Sequence, residues 1–363
     1  MNILTLDAGG TNFVFSSVID NKILAQKIKK NIESIRNANL DLMLKTIIEG
    51  FTEIKDISGR KIDAISLAFP GPADYKNGII GDLFNIPCFR NGVALKKMLE
   101  NIFRVPVFIN NDGDLYAYGE ALTGTLPIIN NRLQKNNNPK RYFNLAGLTL
   151  GTGFGAGLVS EKRIIKGNNI STAEIWQISN RVMPAINAEE GVSIRAVKYF
   201  FSYYANIDFA DSPEPKEIFE IACDKSNKNN KYALMTFEKI GHFLGDAIAN
   251  IFTLFDCIIV IGGGIAGAKD FIIPGIEKEL KTSFVNLTKT NVLPRLVHSV
   301  YCLNNETEFE NFMKTAERKI KVPFSDEEII YDPLVKWAYK FSDFDTSDMI
   351  NLGAYHYAVE NLI

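Results

Sequence analysis

A plan of strand, glycine turn and strand that occurs twice does most to limit what this chain can become. The first copy runs Leu4-Thr5-Leu6-Asp7-Ala8-Gly9-Gly10-Thr11-Asn12, returns as Phe13-Val14-Phe15-Ser16-Ser17-Val18-Ile19, and turns again at Asp20-Asn21-Lys22 into Ile23-Leu24. The second begins 144 residues later, as Leu148-Thr149-Leu150-Gly151-Thr152-Gly153-Phe154-Gly155-Ala156-Gly157-Leu158-Val159, and turns again near Lys162. In each, an apolar run of strand length stops at a Gly/Thr turn and returns as a β-rich run. Glycines without Cβ let backbone N–H groups crowd round a phosphate, and Thr11 adds a hydroxyl donor. Asp7, closing the first strand, suits a hydrated Mg²⁺, a hard cation that takes carboxylate, water and phosphate oxygens. A tight hairpin whose Asp7 only bonds the turn explains the first copy taken alone. The repeat argues for more, because two similar half-molecules with facing phosphate loops make a nucleotide site.

The bulk composition narrows the class. A chain of 363 residues predicts about two domains, each with a core of its own. A formal charge of −2 carries no basic excess of the kind that binds nucleic acid. Cys88, Cys223, Cys257 and Cys302 are far apart, with no CxxC pairing, and read as reduced thiols of a cytoplasmic protein. Neither a leader segment nor an apolar run of membrane-spanning length is evident, so secretion and membrane insertion are not expected.

Between the two hairpins, Leu40, Met43, Leu44, Ile47, Ile48, Phe51 and Ile54 recur at helical steps and predict a helix over 39–56. A strand over 62–69 stops at Pro70-Gly71-Pro72, and a helix near 93–102 leads to a strand over 105–109 that ends in Asn110-Asn111-Asp112-Gly113-Asp114. A further helix starts near Asp114. Residues 127–140, rich in asparagine and basic side chains, read as a surface loop or domain border. Helices are expected at 190–204, 214–224, 231–255 and 270–281, with a buried strand Cys257-Ile258-Ile259-Val260-Ile261 running into Gly262-Gly263-Gly264, and a strand near 296–302. Residues 351–362 read as an amphipathic helix, whereas 303–347 give no clear pattern. Strands alternate with helices, and acidic or glycine-rich punctuation falls at strand ends, where open α/β sheets place ligands.

Two further constellations bear on chemistry. Asp112, at the end of a strand, is placed to take a proton from an attacking hydroxyl, with Asp114 the better candidate for the helix N-cap. Gly262 to Gly267 fits GxGxxG after a strand, but the ribose-binding acid expected about 20 residues on is not evident, which weakens a dehydrogenase reading. The same glycines also let a purine and its ribose lie flat on the backbone. A Walker-type GxxxxGK[ST] is absent, and the three histidines, His242, His298 and His356, are isolated, so neither a P-loop nor a histidine metal site is expected.

Taken together, Asp7-Gly9-Gly10-Thr11, Asn111-Asp112, Gly151 to Gly157 and Gly262-Gly263-Gly264 resemble the ROK family (repressor, open reading frame, kinase) of sugar kinases, over residue 1 to about 270 with the last helix also fitting. The resemblance implies an α/β, actin-like and ribonuclease-H-like fold. It implies two lobes, 1–122 joined by helix 350–363 and 123–349, closing on sugar and ATP. By that likeness Gly9, Gly10, Thr11 and Asn12, with Gly151, Thr152, Gly153 and Gly155, take ATP phosphates, Gly262, Gly263 and Gly264 lie near adenosine, Asp7 touches Mg²⁺ through water, and Asp112 is the base. Asn85, Asn111, Glu174 and Glu189 correspond to the family's sugar contacts, and such groups suit a polyhydroxylated ligand.

Departures qualify the match. Aligned on Glu174, the family's Gly-Glu-Ile-Gly-His becomes Ala173-Glu174-Ile175-Trp176-Gln177, and the zinc-binding cysteine cluster is missing, so zinc is not expected. A first strand that starts at residue 2 leaves no helix-turn-helix extension, which disfavours the repressor branch. The sequence therefore predicts an ATP- and Mg²⁺-dependent hexose kinase of glucokinase type, partnered by sugar, nucleotide and a second copy of itself, and by neither nucleic acid nor membrane. The alternatives are an N-acetylhexosamine kinase, a non-catalytic sugar-sensing regulator, and an actin-like ATPase that leaves the four sugar contacts without a common ligand.

Overall fold

The computed structural model describes residues 1–37, 39–81, 83 and 86–363, which form two compact units. The first comprises Met1–Thr125, Asn144–Ile175 and Ser342–Ile363, and the second Leu126–Phe143 and Trp176–Phe341. Up to the first crossing the elements are β1 (Asn2–Ala8), β2 (Asn12–Ile19), β3 (Lys22–Ile23), β4 (Ile28–Asn31), α1 (Leu40–Ser58), β5 (Ala64–Ala68), β6 (Ala73–Asp74), β7 (Ile79–Ile80), α2 (Leu95–Phe103), β8 (Val107–Asn110) and α3 (Asp112–Leu122). Then come α4 (Thr125–Lys135), β9 (Leu145–Leu150), β10 (Phe154–Ser160), β11 (Arg163–Ile164), α5 (Glu189–Val192), α6 (Ile194–Ala205), α7 (Pro215–Cys223) and α8 (Asn230–Leu254). The chain closes with β12 (Ile258–Gly262), α9 (Lys269–Leu280), β13 (Ser283–Val285), β14 (Val292–Pro294), β15 (Ser299–Cys302), α10 (Glu306–Met313), β16 (Arg318–Lys321), β17 (Glu328–Tyr331), β18 (Lys336–Phe341) and α11 (Thr346–Leu362).

In the first unit the sheet order is β3-β2-β1-β5-β8, with β4 also paired to β2. β1, β5 and β8 are parallel, and the register runs Asp7 to Ala68 and Ala68 to Asn110. Three strand ends therefore share one edge of the sheet, the edge at which parallel strands present ligands. Side chains of a strand alternate between its faces. Leu4, Leu6 and Ala8 join the core made with Met43, Ile47, Phe51 and Ile54 of α1 and Leu95 and Leu99 of α2, while Ile3 joins Leu115 and Tyr116 of α3 and Met349, Leu352 and Tyr355 of α11 in a second core. Thr5 and Asp7 share the α11 side with Ile3. In the second unit β18 lies between β12 and β15, parallel to both, and Arg295, 4% exposed, bridges Asp246 of α8 and Glu279 of α9.

Several expectations need correction. The segment 127–140 is largely helical, since α4 spans Thr125–Lys135 and buries Leu126, Ile129 and Leu133 at helical spacing, a period the asparagines obscured. Its proline, Pro127, sits in the first turn, where a missing N–H costs little. The hairpin β9–β10, expected to open the second lobe, groups with the N-terminal residues because glycines press it against α3. The terminal helix is not amphipathic: Met349 to Tyr355 are buried without interruption. It also starts earlier, at Thr346, behind an Asp345 cap that accepts from Asp348 N. Within 303–347 the chain forms α10, a β16–β17 hairpin and the fully buried strand β18.

Candidate active site

The first unit gathers Asp7, the Gly9 turn and Asn111-Asp112 at one sheet edge. Asp7 is the last β1 residue paired with β5, opposite Ala68, faces Val14 of β2 on its other side, and is partly exposed. Its Oδ2 accepts a hydrogen bond from Ser347 Oγ at 2.6 Å. Its Oδ1 has no hydrogen bond among the described residues. Burial pushes the Asp7 carboxyl up to about 7, with Asp112 and Asp345 adding to the rise and Ser347 and Lys27 opposing it. The turn beyond, Gly9 to Thr11, is held by Arg36, whose guanidinium donates to Gly10 O at 2.7 Å, and by Ile32 N, which donates to Thr11 O at 2.9 Å. Asn12 opens β2.

Asp112 is the first residue of α3, directly after the strand end. The helix cap is not Asp114, the residue the sequence favours, but Asn111: its Oδ1 accepts from Gly113 N at 2.8 Å and Asp114 N at 3.3 Å. The Asn111 amide donates to Tyr75 Oη at 3.2 Å, and Tyr75 donates to Phe69 O at 3.0 Å, just before Pro70-Gly71-Pro72. Asn111 is thereby locked in one orientation with one amide N–H unspent. Desolvation raises the Asp112 carboxyl and Glu174 raises it further, against the N–H groups of Gly113 and of Asp112 itself. Asp114, 7% exposed, is pushed by burial up to about 7, with Asp112 and Glu174 adding to the rise and Lys166 opposing it. Glu174, an exposed residue, follows Ala173 at φ 63°, a left-handed backbone that suits the glycine of the family pattern better than alanine.

The second turn expected to take phosphate also belongs to this unit. Gly151 to Gly153 form the turn between β9 and β10, closed by Gly151 N donating to Gly153 O at 3.0 Å, and Gly155 lies on β10 beside the Thr149 hydroxyl. Two groups of expected site residues fall in the second unit. Glu189 opens α5 and faces Arg195 at 3.7 Å, and Gly262, Gly263 and Gly264 follow β12, with Gly263 at φ 94°. Asn85 lies outside the described residues. Sequence reasoning missed Tyr75, Lys166 and Ser347, which sit on no motif. The available hint was a polar residue, Ser347, one turn before buried Asn351.

Comparison with known proteins places this geometry. Residues 3–178 and 195–302 match the ROK family. A glucokinase crystal structure from Parabacteroides distasonis is 43% identical, with a TM-score of 0.85 over 99% of this chain and 97% of that one. The glucokinase of Thermotoga maritima is 24% identical over 295 residues, 77% of this chain and 87% of its own. The N-acetyl-D-glucosamine kinase of Vibrio cholerae is 25% identical over 252 residues, 64% of this chain and 76% of its own. Among the described residues no helix is long and apolar enough to cross a membrane, and no three His, Cys, Asp or Glu residues are grouped to hold a metal. This chain belongs to the ROK family and has its actin-like α/β fold.

Proposed function

We propose that this sugar kinase phosphorylates a hexose, in the manner of a glucokinase, with ATP as donor and Asp112 as general base. That it is a sugar kinase follows from its family and from 43% identity to a glucokinase along 99% of its length. The finer reading is supported above all by the shared end of β1, β5 and β8, which puts Asp7, the Pro-Gly-Pro loop and Asp112 at one sheet edge. Burial makes Asp112 a stronger base than a solvated carboxylate, and the helix N–H groups keep it ionisable. Asn111, with its spare amide N–H, and Glu174 and Glu189 would bind sugar hydroxyls. The Gly9 and Gly151 turns would take the phosphates, and Gly262 to Gly264 the adenosine.

Asp7 fits a water-held Mg²⁺. Its carboxylate is short of counter-charge, one oxygen is unbonded, and the absence of a closed ligand cage among the described residues leaves the remaining coordination to water and phosphate oxygens. Bound there, the cation would neutralise charge on the transferring phosphoryl group. The rest falls to the chain itself: Asn111 fixes the helix start, and Asp112 takes the hydroxyl proton as that oxygen attacks the γ-phosphate, whose bond to the β-phosphate oxygen breaks to release ADP. Asp112→Asn should lower kcat by about 10²- to 10⁴-fold while glucose affinity holds. Near-normal turnover in a coupled ADP assay rejects the assignment. Stronger thermal stabilisation by N-acetylglucosamine than by glucose would shift the substrate class to N-acetylhexosamines.

A further inference from the structure

Asp7 belongs to a circuit of side-chain hydrogen bonds with Ser347, Asn351 and Thr5, outside the glycine loops. Thr5 and Asp7, two residues apart on β1, share one strand face, and Ser347 and Asn351, four apart on α11, share one helix face. Thr5 Oγ1 donates to Asn351 Oδ1 at 2.6 Å. This fixes the amide so that Asn351 Nδ2 points back along the helix and donates to Ser347 O at 2.7 Å. Ser347 Oγ then donates to Asp7 Oδ2 at 2.6 Å. Thr5 and Asn351 are wholly buried, so the far side of the circuit has no water to compete with it. One carboxylate oxygen is thus spent on α11, and the other is held in a single direction.

We propose that Ser347 is a positioning residue for the metal. By occupying Oδ2 it fixes the Asp7 rotamer and offers only Oδ1 to the water shell of the nucleotide-bound cation. Without that bond the carboxylate turns freely between orientations, and the ordering is lost at each binding event. Groups that orient a metal-binding side chain typically shift metal affinity or activity by about 10- to 100-fold. The inference rests on the proposed role of Asp7.

The test compares wild-type protein with Ser347→Ala and Ser347→Thr. Binding of Mn²⁺ in the presence of the non-hydrolysable analogue AMPPNP is read by electron paramagnetic resonance, and the half-saturating Mg²⁺ concentration is read in turnover. Ser347→Ala should weaken Mn²⁺ binding and raise the half-saturating Mg²⁺ by about tenfold or more, with the sugar KM within about twofold of wild type, and Ser347→Thr should recover most of both. Unchanged metal dependence in Ser347→Ala overturns the inference. So does a Thr variant that folds with wild-type Tm and binds Mn²⁺ as poorly as Ala, since the hydroxyl is then not the active feature. If wild type turns over no sugar at all, the kinase reading fails, and the Mn²⁺ comparison still decides the role of Ser347.

Discussion

The hairpins β1–β2 and β9–β10 start from the same Leu-Thr-Leu and end as different devices. Around Leu4 to Leu6 the partners are Ser17, Ser16 and Phe15, and around Leu148 to Leu150 they are Ala156, Gly155 and Phe154. Beyond that the first ladder continues for two more pairs, Asp7 with Val14 and Ala8 with Phe13, whereas the second breaks into its turn at Gly151. The residue after Leu-Thr-Leu is therefore an acid clamped inside a sheet in one copy and an open turn glycine in the other. One pair before the shared run, Ile3 faces Val18 in the first hairpin, and Gly147 faces Gly157 in the second. Ile3 and Val18 fill an apolar core with α11. The glycine pair instead lets α3 approach by its backbone, since a Cβ on Gly157 would stand 2.5 Å from Gly113 O. A duplicated backbone plan thus holds a charge in one half and presses against α3 with the other.

Exchanging the acid should have the largest effect. On the proposed role of Asp7, Asp7→Asn removes the charge that would anchor the metal, and turnover should fall by about 10²-fold or more. Stability should move the other way. The carboxyl lies at about 7 in the folded chain against an ordinary 3.8, so the folded state holds its proton where the unfolded chain has released it. The contribution is fully present below about 4 and is lost as pH rises towards about 7. Ligand-free Asp7→Asn should therefore match wild type near pH 4 and exceed it at pH 8, by about 1–2 kcal/mol after allowance for partial exposure, as urea unfolding will show. Equal stability at pH 8 would mean that Asp7 is solvated or already paired.

The second test targets the glycine pair. Gly157→Ala forces a methyl group into the Gly113 carbonyl and the Asp114 Cα, both backbone atoms that yield only if α3 moves. The expected loss is about 1–3 kcal/mol of stability. Because α3 begins at Asp112, kcat should fall with it, and a variant that loses stability but keeps kcat would show that the helix start is held by β8 and the Asn111 cap alone.

How much of this was legible in the sequence depends on the range of the interactions. The hairpins, α1 and the strand before Asp112 are local patterns of period two or 3.6, and the residues carry them, though the Asn39 cap, which starts α1 one residue later than expected, is not among them. Asp7 and Asp112 stand out because a carboxylate at a strand end is unusual without a ligand. Ser347, Asn351 and Tyr75 act through side-chain hydrogen bonds across 340, 346 and 36 residues, and no periodicity encodes such pairings. The cap fell to Asn111 rather than Asp114 because the backbone turns into α3 one residue after the strand, a detail of geometry and not of composition. Helix α11 misled for a related reason. Its middle, Met349 to Tyr355, is buried without a break against β1, β5 and α3, so it has no polar stripe to find there.

The smallest effect on folding, and the sharpest separation of fold from function, belongs to Gly151. Nothing lies within 4 Å of where its Cβ would be, and its backbone is not left-handed, so the fold itself does not require glycine there. Gly151→Ala should leave stability within about 0.5 kcal/mol of wild type, with a small gain possible from a stiffer unfolded chain. If the open space beside the turn is where a phosphate approaches the backbone, the added methyl group intrudes on that approach, and the Kd for ADP should rise several-fold while the unfolding curve stays in place. A variant that binds ADP as wild type does would assign the nucleotide phosphates to the first hairpin alone, and would leave the second as a brace for α3.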